Sequence, residues 1–218
     1  MLVLLPLFAT YHVGILFRPR AANGADLFTR LVAWLLGRSL SLYLLVLAVL
    51  VICWYAYLKS RPGRRALKAA GWPLGLVESL FYALIMGPVA GLVLRKLHLI
   101  GTGAAAGDLL SALVLSSGAG FYEELVFRLL LLTGINIFVK KISRPGISRW
   151  LSLPLALVVS SVLFSLAHHV GPGAERITST AFVFRTVLGL FLGVIFLFRG
   201  IDRAAWSHFF YDVIVVVS

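Results

Sequence analysis

Apolar runs long enough to cross a bilayer follow one another along almost the whole chain, and this pattern restricts the fold more than any other feature. A helical span needs about 20 predominantly apolar residues. On that measure seven spans are predicted, at roughly 2–17, 40–58, 76–94, 108–138, 150–169, 177–198 and 203–217, with the first and last short. The residues between them are too few for a soluble domain. Charged residues make up 13% of the 218, against about a quarter in an ordinary globular chain. With 61% hydrophobic residues the missing polar surface implies lipid as the solvent. The expected fold class is all-α, a polytopic transmembrane helix bundle with an intramembrane polar cavity. Residues 1–218 would form a single transmembrane domain whose motif-bearing core is 108–217.

The net charge of +12 would point to nucleic acid in a soluble protein. Here the basic residues cluster in the short connections, which is the positive-inside pattern, and no nucleic-acid partner is expected. With the N-terminus inside, eleven Lys and Arg residues fall on the cytoplasmic side, among them Lys59, Arg64, Lys140, Lys141, Arg199 and Arg203, against seven outside, including Arg18, Arg95 and Arg176. The first apolar run begins at Leu2 without a basic leader or convincing cleavage site, so it reads as a span and not as a secretory signal. The stretch 27–38 follows a candidate N-cap, Asp26, and would lie in the interface or extend the second span. Pro and Gly punctuate the connections at Arg61-Pro62-Gly63, Arg144-Pro145-Gly146 and Gly171-Pro172-Gly173. The single Cys53 excludes an intrachain disulfide and a cysteine-built metal site.

A charge at the bilayer centre costs at least ~2.5 kcal/mol, so ionisable residues inside the spans need a reason. Four of the eight acidic residues, Glu78, Glu123, Glu124 and Asp212, fall inside apolar runs, together with Arg128, Arg185, His168 and His208. Glu124 and Arg128 are one helical turn apart and can neutralise each other, whereas Glu123 is rotated by about 100° toward another neighbour. His208 and Asp212 are likewise one turn apart. Read blandly, Glu124–Arg128 is a structural ion pair, His168 is interfacial near its span end, His208–Asp212 satisfies itself, and Glu78 pairs with Arg185 across helices. Alternatively, Arg185 faces the cavity and binds a substrate carboxylate or carbonyl. Asp108 caps the fourth helix, while Glu175 and Asp202 lie in connections. Gly87-x-x-x-Gly91 and Gly189-x-x-x-Gly193 provide small faces for close helix approach. Phe127 and Phe164 shape the cavity by packing.

The order E-E-x-x-x-R, F-x-x-x-H and H-x-x-x-[N/D], carried by Glu123, Glu124 and Arg128, by Phe164 and His168, and by His208 and Asp212, resembles the three motifs of the CPBP, or Abi, family of intramembrane proteases. That family includes the endopeptidase that trims prenylated CAAX proteins. The resemblance implies that Glu123 and His168 activate the attacking water, that His208 and Asp212 stabilise the oxyanion, and that Glu124 and Arg128 support the site. Asp212 stands where the prenyl protease uses Asn, and an ionised Asp cannot donate a hydrogen bond to an oxyanion. It would be protonated, orient His208, or serve a metal. No cofactor is favoured, although zinc on His168, His208 and Glu123 or Asp212 is the metal alternative.

The function expected is therefore an endopeptidase in a bacterial or archaeal plasma membrane, acting on a membrane-associated or lipidated protein or peptide. Its rivals are a non-catalytic Abi-like protein for bacteriocin immunity or sorting, and a transporter, for which no internal repeat is found. One difficulty is depth. His168 lies near one end of its span, Glu123 at mid-span and His208 about a third of the way in from the opposite side. Convergence demands tilted, kinked or short helices, or a dip of the chain at Gly171–Gly173.

Overall fold

The computed structural model describes residues 2–17, 34–35, 37, 39–60, 71–99, 108–143, 147–170, 174 and 176–217. Among them all regular structure is helical. A single 3-10 turn, Leu2–Leu4, leads into α1 (Leu5–Phe17), followed by α2 (Leu40–Lys59) and α3 (Gly71–Lys96). The fourth predicted span is a continuous helical run of mixed pitch. It comprises α4 (Leu109–Gly118), a π-helical stretch at Ala119–Glu123, a second at Leu125–Leu132 and α5 (Thr133–Ile142). Next come α6 (Ile147–Ala167), α7 (Ser179–Arg199) and α8 (Ile201–Val217). Gly71–Lys96, Trp150–Ala167 within α6, and Ser179–Arg199 are each long and apolar enough to cross a membrane, and Leu5–Phe17 and Ser41–Tyr57 are shorter apolar helices. Most of 27–38, all three predicted Pro-Gly connections and Glu175 lie outside the described residues.

Local chemistry sets the helix ends. Asp108 accepts from the backbone N–H groups of Leu110 and Ser111, as its capping role required, and Thr178 accepts from Ala181 at the start of α7. Gly200 joins α7 to α8 at φ 89°, a left-handed conformation that glycine adopts without a Cβ penalty. Asp202, read as a connection residue, belongs instead to the first turn of α8, where it pairs with Arg203 at 2.6 Å.

The bundle reverses the polarity of a soluble fold. Its outer faces carry large apolar side chains such as Leu74, Val77, Phe81 and Leu84 on α3 and Phe198 on α7, while Ser79, Ser160, Ser161, Ser165 and Ser207 are fully buried. Small hydroxyl residues let backbones approach closely and satisfy their polar groups within the bundle. Ser207 and Ser161 donate to the carbonyls of Arg203 and Leu157 in their own helices, and Ser165 donates across to Phe182 O at 2.9 Å. Gly189 and Gly193 pack as read, since an added Cβ would lie 3.1 Å from Ser161 Cα at the first and collide with Leu157 Cδ1 at the second. Gly87 abuts Tyr211, but Gly91 has nothing within 4 Å and takes no part in a close helix contact.

Helix α8 is the centre of this packing. Ala204 and Tyr211 join Ala83, Met86 and Ala90 of α3 with Leu188, Leu192 and Ile195 of α7. Ala205 and Trp206 join Val3, Leu4, Leu7 and Phe8 from the N-terminal helix with Phe121. The indole of Trp206 donates to Val3 O at 2.9 Å, tying the start of the chain to its end.

Candidate active site

The Glu-bearing run lies against α8 because Gly120 permits it. A Cβ at that position would fall 2.6 Å from Ala205 O. Two residues of the site follow from this approach. Glu124, fully buried, accepts from His208 Nδ1 at 2.9 Å through Oε1, and its Oε2 lies 3.2 Å from Arg128 Nε. The other nitrogen of His208, Nε2, is 3.5 Å from Asp212 Oδ2, as expected for residues one turn apart. His208 thus sits between two carboxylates from different helices.

Glu123 points elsewhere. Its Oε2 lies 3.5 Å from His168 Nε2, it is 3% exposed, and Oε2 has no hydrogen-bond partner among the protein groups. His168 is held from its other side, with Nδ1 2.8 Å from Phe164 O. Because a carbonyl oxygen only accepts, Nδ1 carries the hydrogen, and in the neutral ring Nε2 turns a lone pair toward Glu123.

The depth difficulty disappears with the true helix lengths. The run that carries Glu123 continues to Ile142 and α6 returns from Ile147, so Glu123 and His168 lie at nearly equal distances from that connection. Antiparallel neighbours so placed meet at one level, and Gly171–Gly173 lie outside the described residues. The π-helical turns flanking Glu124 change the relative rotation of the two glutamates from that of a regular α-helix. Such wide turns recur at functional sites, and motif spacing alone does not reveal them.

Phe164 links the two halves. Its ring meets His168 at 4.8 Å, His208 at 5.7 Å and Phe127 at 5.4 Å between centroids, and the Arg128 guanidinium carbon stands 4.7 Å from its centre. The reading of Phe127 and Phe164 as packing residues is thereby given a place: Phe164 separates and braces both imidazoles and covers the buried cation. Arg185 of α7 lies within electrostatic reach of Glu123, His168 and Asp212. Among the described residues no three His, Cys, Asp or Glu side chains are grouped so that they could hold a metal ion.

The pairing of Glu78 with Arg185 is corrected. Glu78 instead accepts from Arg199 Nη2 at 2.9 Å, from Arg203 Nε at 3.2 Å and from Tyr82 at 2.7 Å. The α7–α8 corner at Gly200 brings both arginines to Glu78, a long-range juxtaposition that span counting does not contain. Sequence reasoning also passed over His12, an ionisable residue inside the first apolar run. Its ring nitrogens lie 2.6 Å from Tyr43 Oη and 2.6 Å from Tyr122 Oη. A histidine among apolar neighbours was the available signal.

The described residues form an all-α bundle with three helices of membrane length, enclosing two carboxylate–imidazole pairs, which is the fold of a membrane-embedded protein with a buried polar site. A family model described as "Rce1-like: Type II CAAX prenyl endopeptidase Rce1-like" matches residues 104–214, just over half of the chain. The chain belongs to that family of membrane-embedded CAAX-type proteases. No curated protein and no solved structure matches it.

Proposed function

We propose that the chain hydrolyses a peptide bond near the membrane-associated or lipidated end of another protein, with Glu123 and His168 activating the attacking water. The observation that carries this reading is the facing of two acceptor atoms, Glu123 Oε2 and His168 Nε2, 3.5 Å apart with no protein donor on Oε2. A single water donating one hydrogen to each satisfies both and leaves an oxygen lone pair for attack. As the C–O bond forms, a water proton passes to this pair and returns to the leaving amine when the C–N bond breaks.

The second imidazole faces the opposite need. As an imidazolium His208 has a donor on each nitrogen, one held by Glu124 and the other beside Asp212 and available to the developing oxyanion. Asp212 in this scheme orients His208, which accounts for an acid where the prenyl protease uses an amide. Glu124 and Arg128 hold the helix and the imidazole, and Arg185 meets the substrate carboxylate or a backbone carbonyl. The glutamate route needs no metal.

The test is Glu123→Gln in purified protein in lipid vesicles, supplied with a farnesylated peptide ending in a CAAX sequence. Loss of a general base lowers kcat by about 10² to 10⁴. The expected result is that loss with an unchanged far-UV circular dichroism spectrum and melting curve. Retention of cleavage would remove Glu123 from the chemistry and favour a binding role.

A further inference from the structure

The first two helices lie outside the matched residues 104–214, yet α1 bonds directly to the residue beside Glu123 and α2 bonds to it through α1. His12 of α1 is 5% exposed and has both ring nitrogens engaged, Nδ1 with Tyr43 of α2 and Nε2 with Tyr122 of the first π-helical stretch, each at 2.6 Å. A neutral imidazole has one donor and one acceptor nitrogen. One tyrosine hydroxyl therefore accepts from the ring and the other donates to it, and neither interaction can be replaced by an apolar side chain of similar size. The rings are packed as well as bonded: Phe8 meets His12 at 4.2 Å and Tyr11 meets Tyr122 at 5.6 Å between centroids. Tyr11 also fills the space that a Cβ on Gly118 would take.

We propose that His12 is a positioning residue for the reaction: through the Tyr43–His12–Tyr122 chain it fixes the rotation of the π-helical turn that carries Glu123. Tyr122 and Glu123 are consecutive, so a rotation that releases one swings the other away from His168. π-helical turns lack the regular register of an α-helix, and this one is held on the α8 side by Gly120 against Ala205. The hydrogen-bonded chain holds it from the α1 and α2 side. A 3.5 Å pair that must share one water tolerates little displacement. Misplacing a reacting group by about 1 Å can cost about 100-fold in rate. The proposal rests on the water-activation reading above.

The experiment uses the full chain in lipid vesicles with the same farnesylated CAAX peptide, comparing His12→Leu, His12→Gln, Tyr122→Phe and the His12→Leu/Tyr122→Phe pair with the parent and Glu123→Gln. The expected result is a fall in kcat of about tenfold to 100-fold for His12→Leu, with KM within about twofold. His12→Gln, whose amide both donates and accepts, recovers most of that fall. Tyr122→Phe adds little once His12 is gone, because the two act as one connection. A purely structural role would lower the melting temperature and the folded fraction while kcat per folded molecule stayed at the parental value, and that result overturns the proposal. So does an equal loss for His12→Leu and His12→Gln. A Glu123→Gln chain that still cleaves, or a parent inert to this peptide, counts against the water-activation reading itself, and the positioning role falls with it. An inactive Glu123→Gln beside an unaffected His12→Leu refutes the positioning role alone.

Discussion

Replacing Arg128 by Met isolates the part of the site that is paired from the part that reacts. Arg128 is fully buried, its Nε is 3.2 Å from Glu124 Oε2, and its guanidinium covers the Phe164 ring at 4.7 Å. Met has a comparable stem and fills much of the volume, so little of the effect comes from a cavity. What is left is a fully buried Glu124 carboxylate with His208 as its remaining partner. Removing one member of a buried ion pair costs about 3–5 kcal/mol, because the other charge stays desolvated without compensation. Removing the charge as well, in Glu124→Gln/Arg128→Met, should return most of that loss, since a neutral pair of similar volume is often no less stable than the ion pair. Activity should not return with it, because on the proposed reading the Glu124 carboxylate holds His208 in place. The measurement is unfolding in mixed micelles titrated with SDS, followed by far-UV circular dichroism, for both single variants and the pair. A cost under about 1 kcal/mol for Arg128→Met would refute the reasoning, as would a double variant whose loss equals the sum of the singles.

Substitutions elsewhere separate close packing from open surface. Gly120→Ala forces a Cβ against Ala205 O, where backbone must yield, and should cost about 1–3 kcal/mol with loss of activity. Gly91→Ala and Gly134→Ala meet nothing within 4 Å and should stay within about 0.5 kcal/mol of the parent in the same titration. Phe164→Leu removes the ring between the two imidazoles and should lower kcat by about tenfold or more in the peptide assay while the fold persists. Arg199→Gln breaks an ion pair whose arginine is 51% exposed, and the unfolding free energy should change by less than about 1 kcal/mol.

The helical class and the approximate bounds of the elements could be read because apolar runs of bilayer length have few other solutions, and the described helices fall close to the predicted runs. The motif residues could be read because an ionisable group in such a run is costly enough to be informative alone. What could not be read depends on contacts distant in the chain. Glu78 finds Arg199 and Arg203 through the Gly200 corner, and His12 finds Tyr122 more than a hundred residues away. The apparent mismatch in depth between Glu123 and His168 came from judging each residue against the middle of its own span and not against the connection the two helices share. The helical run continues to Ile142, with Lys140 and Lys141 in its last turn, where cations favour a helix C-terminus.

The adjacent glutamates have different partners. Glu124 accepts from His208 on α8 through one oxygen and forms an ion pair with Arg128 on its own helix through the other, at 3.2 Å and without a hydrogen bond. Glu123, one residue earlier, keeps an oxygen without a protein donor beside His168. In a low-dielectric interior each arrangement requires the other. Glu124 offsets the buried arginine and holds the second imidazole, while Glu123 faces His168 at 3.5 Å, where the proposed reading puts the attacking water. A regular α-helix would set consecutive side chains about 100° apart, whereas here the π-helical turns on either side of Glu124 set the angle at which one backbone serves both sites. On the proposed reading, the local pitch of this helix, as much as the identity of its residues, sets where the water is held.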